Sequence, residues 1–262
     1  MTLVIQAQRI YHKPQGDFYY HRWGFHHISL FSLQGITHTF VSLLYLCKQN
    51  YTLVIYNVTS MATKDIWFIL RSAFIAGLCI GIAGFGYLAE KNIIGAVLFS
   101  FGLLAVVGYS LKLYTGTAGF FKKGEFSQVL LILFGNILGC GAMSLILRCS
   151  PMPLQETAQG IMEARLALGP VKGGILAIGC GFIMTTIVTF AREGKNLPML
   201  FGIPVFINCG FPHCVADSFF YLCVPTEFTL AHLPQVLIFW LAIASGNFLG
   251  CNLYRIIMRK TK

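Results

Sequence analysis

The sequence predicts an all-α integral membrane protein: six spans in two three-helix halves of opposite sense, with the second span of each half interrupted. Three observations carry that reading. Hydrophobic residues make up 56% of the 262 positions and charged residues 11%, less than half the quarter expected of a soluble domain. A soluble fold could not cover its surface with so few charges, and a disordered chain would be far poorer in apolar residues. Apolar runs of about 20 residues, the length that crosses a bilayer, recur six times. One hexapeptide also returns at the same place in each half of the chain.

Taken in order, residues 1–60 stand apart. They hold five of the seven His and two patchy runs, 28–47 and 52–58. Gln34, His38 and several Ser and Thr make the first run a marginal span, and no charged n-region with a small-residue cleavage site accompanies it. Met61 directly precedes Ala-Thr-Lys-Asp and the first strong span. The natural chain is therefore expected to start near Met61, with 1–60 an atypical extension and 61–262 the six-span domain. The spans are expected near 67–89, 93–115, 126–147, 173–191, 199–224 and 233–258. Connections are short except 148–172, which divides the chain into two sets of three. With the N-terminus cytoplasmic, Lys64, Lys122, Lys123, Arg192, Lys195, Arg255, Arg259, Lys260 and Lys262 fall inside, with the four earlier basic residues. Only Lys91, Arg148, Arg165 and Lys172 fall outside. The positive-inside rule then places both termini in the cytoplasm. Basic residues at span ends are a mark of membrane orientation, so the net charge of +10 does not point to nucleic acid.

The repeated hexapeptide is Gly135-Asn136-Ile137-Leu138-Gly139-Cys140 in span three and Gly246-Asn247-Phe248-Leu249-Gly250-Cys251 in span six, identical at five of six positions. Three spans per half is an odd number, so the halves enter the membrane in opposite directions. Inverted repeats of this kind place a substrate path near the midplane between halves. GxxxG spacing also lets helices pack closely, so Gly135, Gly139, Gly246 and Gly250 are expected at helix contacts. Span two runs into Lys112-Leu113-Tyr114-Thr115-Gly116 and Gly119; span five contains Pro204, Gly210, Pro212, His213 and Asp217. Irregular backbone at membrane depth is tolerated only where it is buried in protein or lines a cavity. His213 is an ionisable group in a strongly apolar run, a functional site by default. Lys112 and Asp217 either pair in the interior or lie at helix ends in water. Cys79, Cys140, Cys180, Cys209, Cys214, Cys223 and Cys251 lie in or beside apolar runs without metal-ligand spacing. They are expected to pack as small hydrophobes. No cofactor or metal is implied.

The segment Phe99-Ser100-Phe101-Gly102-Leu103, followed by Leu113-Tyr114-Thr115-Gly116, resembles the second span and loop of the formate/nitrite transporter family. Gly210-Phe211-Pro212-His213-Cys214-Val215-Ala216-Asp217 is similar to that family's fifth-span motif, the paired GNxLG segments to its third and sixth spans, and Ala76-Gly77 with Ile80-Gly81 to its first. The resemblance runs over about residues 64–258. It implies an aquaporin-like six-helix bundle assembled as a homopentamer with one pore per protomer, passing small monovalent anions such as formate or nitrite. By position it implies that His213 is the central histidine and Thr115 its partner. Phe99 and Phe206 would form one hydrophobic constriction and Leu103 part of another. The chain departs from the family pattern at Lys112, at Pro212, at Asp217 and near Gly181, while Arg165 keeps a charge that members carry as lysine.

The function expected is therefore a channel or transporter for small monovalent anions of weak acids, with protons as possible co-substrates and no enzymatic activity. Arg165 and Lys172 would attract anions at one mouth. Two other classes compete. A membrane enzyme would use His213 and Cys214, but adjacent residues on a helix point to different faces. An aquaporin-like neutral-solute pore would carry two Asn-Pro-Ala signatures, which this sequence lacks.

Overall fold

A computed structural model describes residues 63–258, Lys123 excepted. The expectations for residues 1–60, and those for Lys123, Arg259, Lys260 and Lys262, lie outside the described residues. Among the described residues ten helices follow one another: α1 Thr63–Ala89, α2 Ile93–Gly108, α3 Tyr114–Thr117, α4 Phe126–Leu147, α5 Leu154–Leu168, α6 Pro170–Arg192, α7 Leu197–Asn208, α8 Cys214–Cys223, α9 Thr226–Ala231 and α10 Leu233–Ile257. Four of them, α1, α4, α6 and α10, are each long and apolar enough to cross a membrane. The remaining two crossings are composite, α2 with α3 and α7 with α8.

Local chemistry sets the helix starts. Asn92 caps α2, its side chain accepting from the Ile94 and Gly95 amides at 2.8 and 3.1 Å, which satisfies two otherwise orphaned donors. Proline opens α6, α7 and α10 within their first two positions, where its missing N–H costs no hydrogen bond.

Both interruptions are built the same way, 100 residues apart. At the end of α2, Ser110 N–H bonds to Val107 O and Leu111 N–H to Val106 O; at the end of α7, Gly210 N–H bonds to Ile207 O and Phe211 N–H to Phe206 O. This is the Schellman stop, whose C′ residue is left-handed. Ser110 has φ +53° and Gly210 φ +70°. Extended residues then restart each helix: Leu113 before α3 and His213 before α8.

The structure locates the residues around these interruptions. Span two, expected near 93–115 with an interruption, is α2 to Gly108, a Schellman stop at Ser110 and a restart at Tyr114. Tyr114 and Gly116, expected in the interrupting loop, instead lie in the single-turn helix α3. Asp217 likewise lies in the first turn of α8 rather than in a loop. Pro204 sits inside α7 without ending it. The connection 148–172 contains α5, with Glu156 in its first turn and Arg165 in its last, both favourable to the helix dipole.

The halves repeat each other in packing. Gly77 of α1 lies so close to α4 that a Cβ there would run into the Asn136 carbonyl, and Gly181 of α6 stands in the same relation to Asn247 of α10. Gly139 and Gly250 return the contact, against the Phe74 and Ile178 carbonyls. The other faces of these helices are apolar and exposed, as at Trp67, Ile82, Leu145, Ile175 and Leu237.

Candidate functional site

His213 and Thr115 meet. The histidine Nε2 lies 2.9 Å from Thr115 Oγ1, and both side chains are buried, at 2% and 0% exposure. Each stands at the start of the half-helix that follows its interruption, so the contact joins the two composite crossings. The other ring nitrogen, Nδ1, accepts the Ala216 amide at 3.2 Å and so caps α8. A neutral imidazole has one donor and one acceptor nitrogen. With Nδ1 accepting, the proton resides on Nε2, which donates to Thr115 Oγ1, and the threonine hydroxyl hydrogen stays free to point elsewhere. Both ring nitrogens are thereby engaged, which leaves Cys214 without a base and removes the geometric basis for a His213–Cys214 nucleophilic pair.

Two cavities flank this contact and share no lining residue. The first, about 210 Å³, is lined by His213, Phe99, Phe206, Arg165, Asp217 and Tyr87 among others. Phe99 and Phe206 pack edge to face with centroids 6.3 Å apart, and Phe206 lies 5.8 Å from the His213 ring. The second cavity, about 400 Å³, is lined by Leu103, Val106, Lys112, Leu113, Gly116 and Arg192 among others. It reaches the C-terminal ends of α2 and α6, whereas the first reaches the C-terminal end of α1, so they open toward opposite faces.

The remaining expected residues divide between these cavities. Phe99 and Phe206 share the first cavity with His213, while Leu103 belongs to the second with Lys112, Leu113 and Gly116. Lys112 and Asp217 do not pair, since they line different cavities; Lys112 is half-buried beyond the end of α2, and Asp217 is buried rather than in water. The buried Asp217 carboxylate instead faces Arg165, with Nε and Oδ2 3.3 Å apart. Arg165 also donates from Nη1 to the Gly210 carbonyl at 2.6 Å, tying α5 to the interruption before α8. Lys172 is exposed on the first turn of α6 and is absent from the cavity lining. Tyr114 points away from both cavities' lining sets; its hydroxyl donates to Ala244 O of α10 at 3.0 Å.

Beyond packing, the repeat has a second role that the sequence did not reveal. Asn136 Oδ1 accepts the Tyr114 amide at 2.8 Å, and its Nδ2 donates to Ala73 O and Lys112 O. Asn247 Oδ1 accepts the Cys214 amide at 2.8 Å, and its Nδ2 donates to Ala177 O and Pro212 O. Each asparagine thus satisfies the backbone that its half's interruption exposes. The repeat cysteines cross over: Cys140 Sγ donates to Val215 O at 3.5 Å in the other half, and Cys251 Sγ to Thr115 O at 3.4 Å. The signal lay in the identical register of Asn and Cys in both copies, which close helix packing alone would not require.

Comparison with known proteins agrees with this architecture. A family model described as formate/nitrite transporter matches residues 48–256, beginning upstream of Met61. Formate channel FocB of Escherichia coli (strain K12) is 26% identical over 179 residues, covering 61% of this chain and 62% of that protein. The chain therefore spans less than two thirds of that relative. A pentameric formate channel with formate bound superimposes with a TM-score of 0.67 at 19% identity, over 75% of this chain and 97% of that one. An FNT family ion channel gives 0.60 at 17% identity, over 78% and 94%. Those identities speak to the fold, which is all-α with interrupted spans. The family match covers most of the chain, and this protein belongs to the formate/nitrite transporter family.

Proposed function

We propose that this chain is a transmembrane channel or transporter for small monovalent anions of weak acids, formate and nitrite among them, with His213 assisting passage. The observation that carries the reading is the buried His213–Thr115 contact between two cavities that open toward opposite faces. Family membership and a formate channel among the relatives support the substrate class. The membrane is the cell (inner or plasma) membrane, both termini are cytoplasmic, and the first cavity opens outward. Five copies assemble as a homopentamer, as in the pentameric channel it resembles, each with its own path.

An anion leaving water for an apolar constriction loses solvation worth several kcal/mol. Phe99, Phe206, Leu103 and Leu113 supply the dry wall. The Thr115 hydroxyl hydrogen, left free because its oxygen accepts from His213 Nε2–H, supplies a donor that replaces water beside that wall. The neutral ring assists by hydrogen bonding alone. Proton transfer to the anion requires the doubly protonated ring, whose Nδ1–H would oppose the Ala216 N–H and open the cap of α8.

Reconstituted protein should carry formate and nitrite down imposed gradients, with a rate that depends on pH. His213→Leu should reduce that flux at least tenfold and flatten its pH dependence. Unchanged flux and pH profile in the variant would overturn the role given to His213.

A further inference from the structure

We infer that the two mouths capture anions unequally, and that the Lys112 cavity is the holding site for a small monovalent anion. The inference rests on the anion pathway proposed above and adds a binding residue and a direction to it. Lys112 lines the larger cavity with Arg192, and no carboxylate is among the residues that line it. Among the described residues Lys112 forms no ion pair. Its backbone is pinned on both sides: its N–H donates to Ser72 Oγ at 3.0 Å and its carbonyl accepts from Asn136 Nδ2 at 3.0 Å. The α-carbon is thus fixed one residue from Leu113 of the constriction, with the charge carried on a half-buried side chain. Arg192 stacks on Phe120, 3.6 Å from the ring centroid, which holds its charge near the rim without neutralising it.

Two acids at helix ends on this side are engaged elsewhere. Glu193 pairs with Lys195 at 2.8 Å, and Glu125 accepts the Lys122 amide at 2.8 Å.

The other mouth differs. Its inner cation, Arg165, faces a carboxylate that is 1% exposed and spends a second donor on the Gly210 carbonyl. Lys91 also lines that cavity but is exposed to water. A charge inside a low-dielectric cleft concentrates counter-ions far more than a solvated one. The uncompensated charge therefore lies deep on the Lys112 side and shallow on the Arg165 side. Anions supplied from the Lys112 side should saturate the pathway at lower concentration.

The full chain, reconstituted with orientation assigned by protease access to a C-terminal tag, is tested by initial formate flux from each side in turn. The expected half-saturating concentration is about three- to tenfold lower from the Lys112 side. Lys112→Gln should abolish that difference and Lys112→Arg should keep it. Asp217→Asn, which frees Arg165, should lower half-saturation from the opposite side. In parallel, formate should raise the thermal midpoint of the purified protein, and Lys112→Gln should lose that rise without changing the midpoint in formate-free buffer. Equal half-saturation from both sides, or a difference that survives Lys112→Gln, overturns the inference. A formate-dependent midpoint shift that needs Lys112, with no formate flux, upholds the site and overturns the channel reading instead.

Discussion

His213 is held at both nitrogens, and that double hold decides what it can offer. The Ala216 amide fixes the tautomer and Thr115 fixes the direction of Nε2–H. Thr115→Ser keeps the oxygen and should retain most flux. Thr115→Val keeps the shape but leaves Nε2–H buried without an acceptor, a cost of about 1–3 kcal/mol; flux should fall well below that of the serine variant. Comparable flux in the two would show that the hydroxyl does not matter. His213 was legible in the sequence because a lone ionisable side chain in an apolar run has few structural excuses. Thr115, Phe99 and Phe206 were legible only through family resemblance, since a threonine or phenylalanine in a span reads as packing. The Arg165–Asp217 pair was not legible at all. Its members are separated by α6 and α7, and only the folding back of α5 brings them together.

At the scale of the element, an interruption is a stop, a bend and a restart, each made by backbone. Gly210 at φ +70° has no heavy atom within 4 Å of a would-be Cβ, so Gly210→Ala should cost only the conformational term, about 1 kcal/mol. Ser110 takes the same left-handed conformation with a side chain present. Ser110→Gly should therefore stabilise by about 0.5–1 kcal/mol, and thermal midpoints in detergent would check both signs. Asn136→Ala and Asn247→Ala should each cost about 2–4 kcal/mol by leaving an amide and two carbonyls unpaired at depth. Asn→Asp at either site should not rescue, because Asp lacks the two donors. Gly210 and Pro212 announced the second interruption in the sequence. The first is marked less sharply because its left-handed residue is a serine rather than a glycine, while Pro153, Glu156, Arg165 and Gly169 punctuate α5.

For the whole molecule, the two halves are one design used twice. Gly77 against Asn136 and Gly181 against Asn247 bring the long helices close enough for the asparagines to reach the interruptions. Gly77→Ala and Gly181→Ala should each push a helix pair apart and lower the thermal midpoint by several degrees; two variants indistinguishable from wild type would refute the close-contact role. Native mass spectrometry should give a mass five times that of the chain, and a monomer in mild detergent would contradict the pentamer. The duplicated hexapeptide made this symmetry readable, since odd span counts invert whatever follows. The crossing thiols of Cys140 and Cys251 were not, because a cysteine among apolar residues has a sufficient explanation in size alone. The main-chain tethering of residue 112 has a further outcome. Since Ser72 and Asn136 grip only its amide and carbonyl, the side chain is released from architectural duty. Its charge can therefore be changed without disturbing the frame, retuning which solutes enter while the bundle stays as it was.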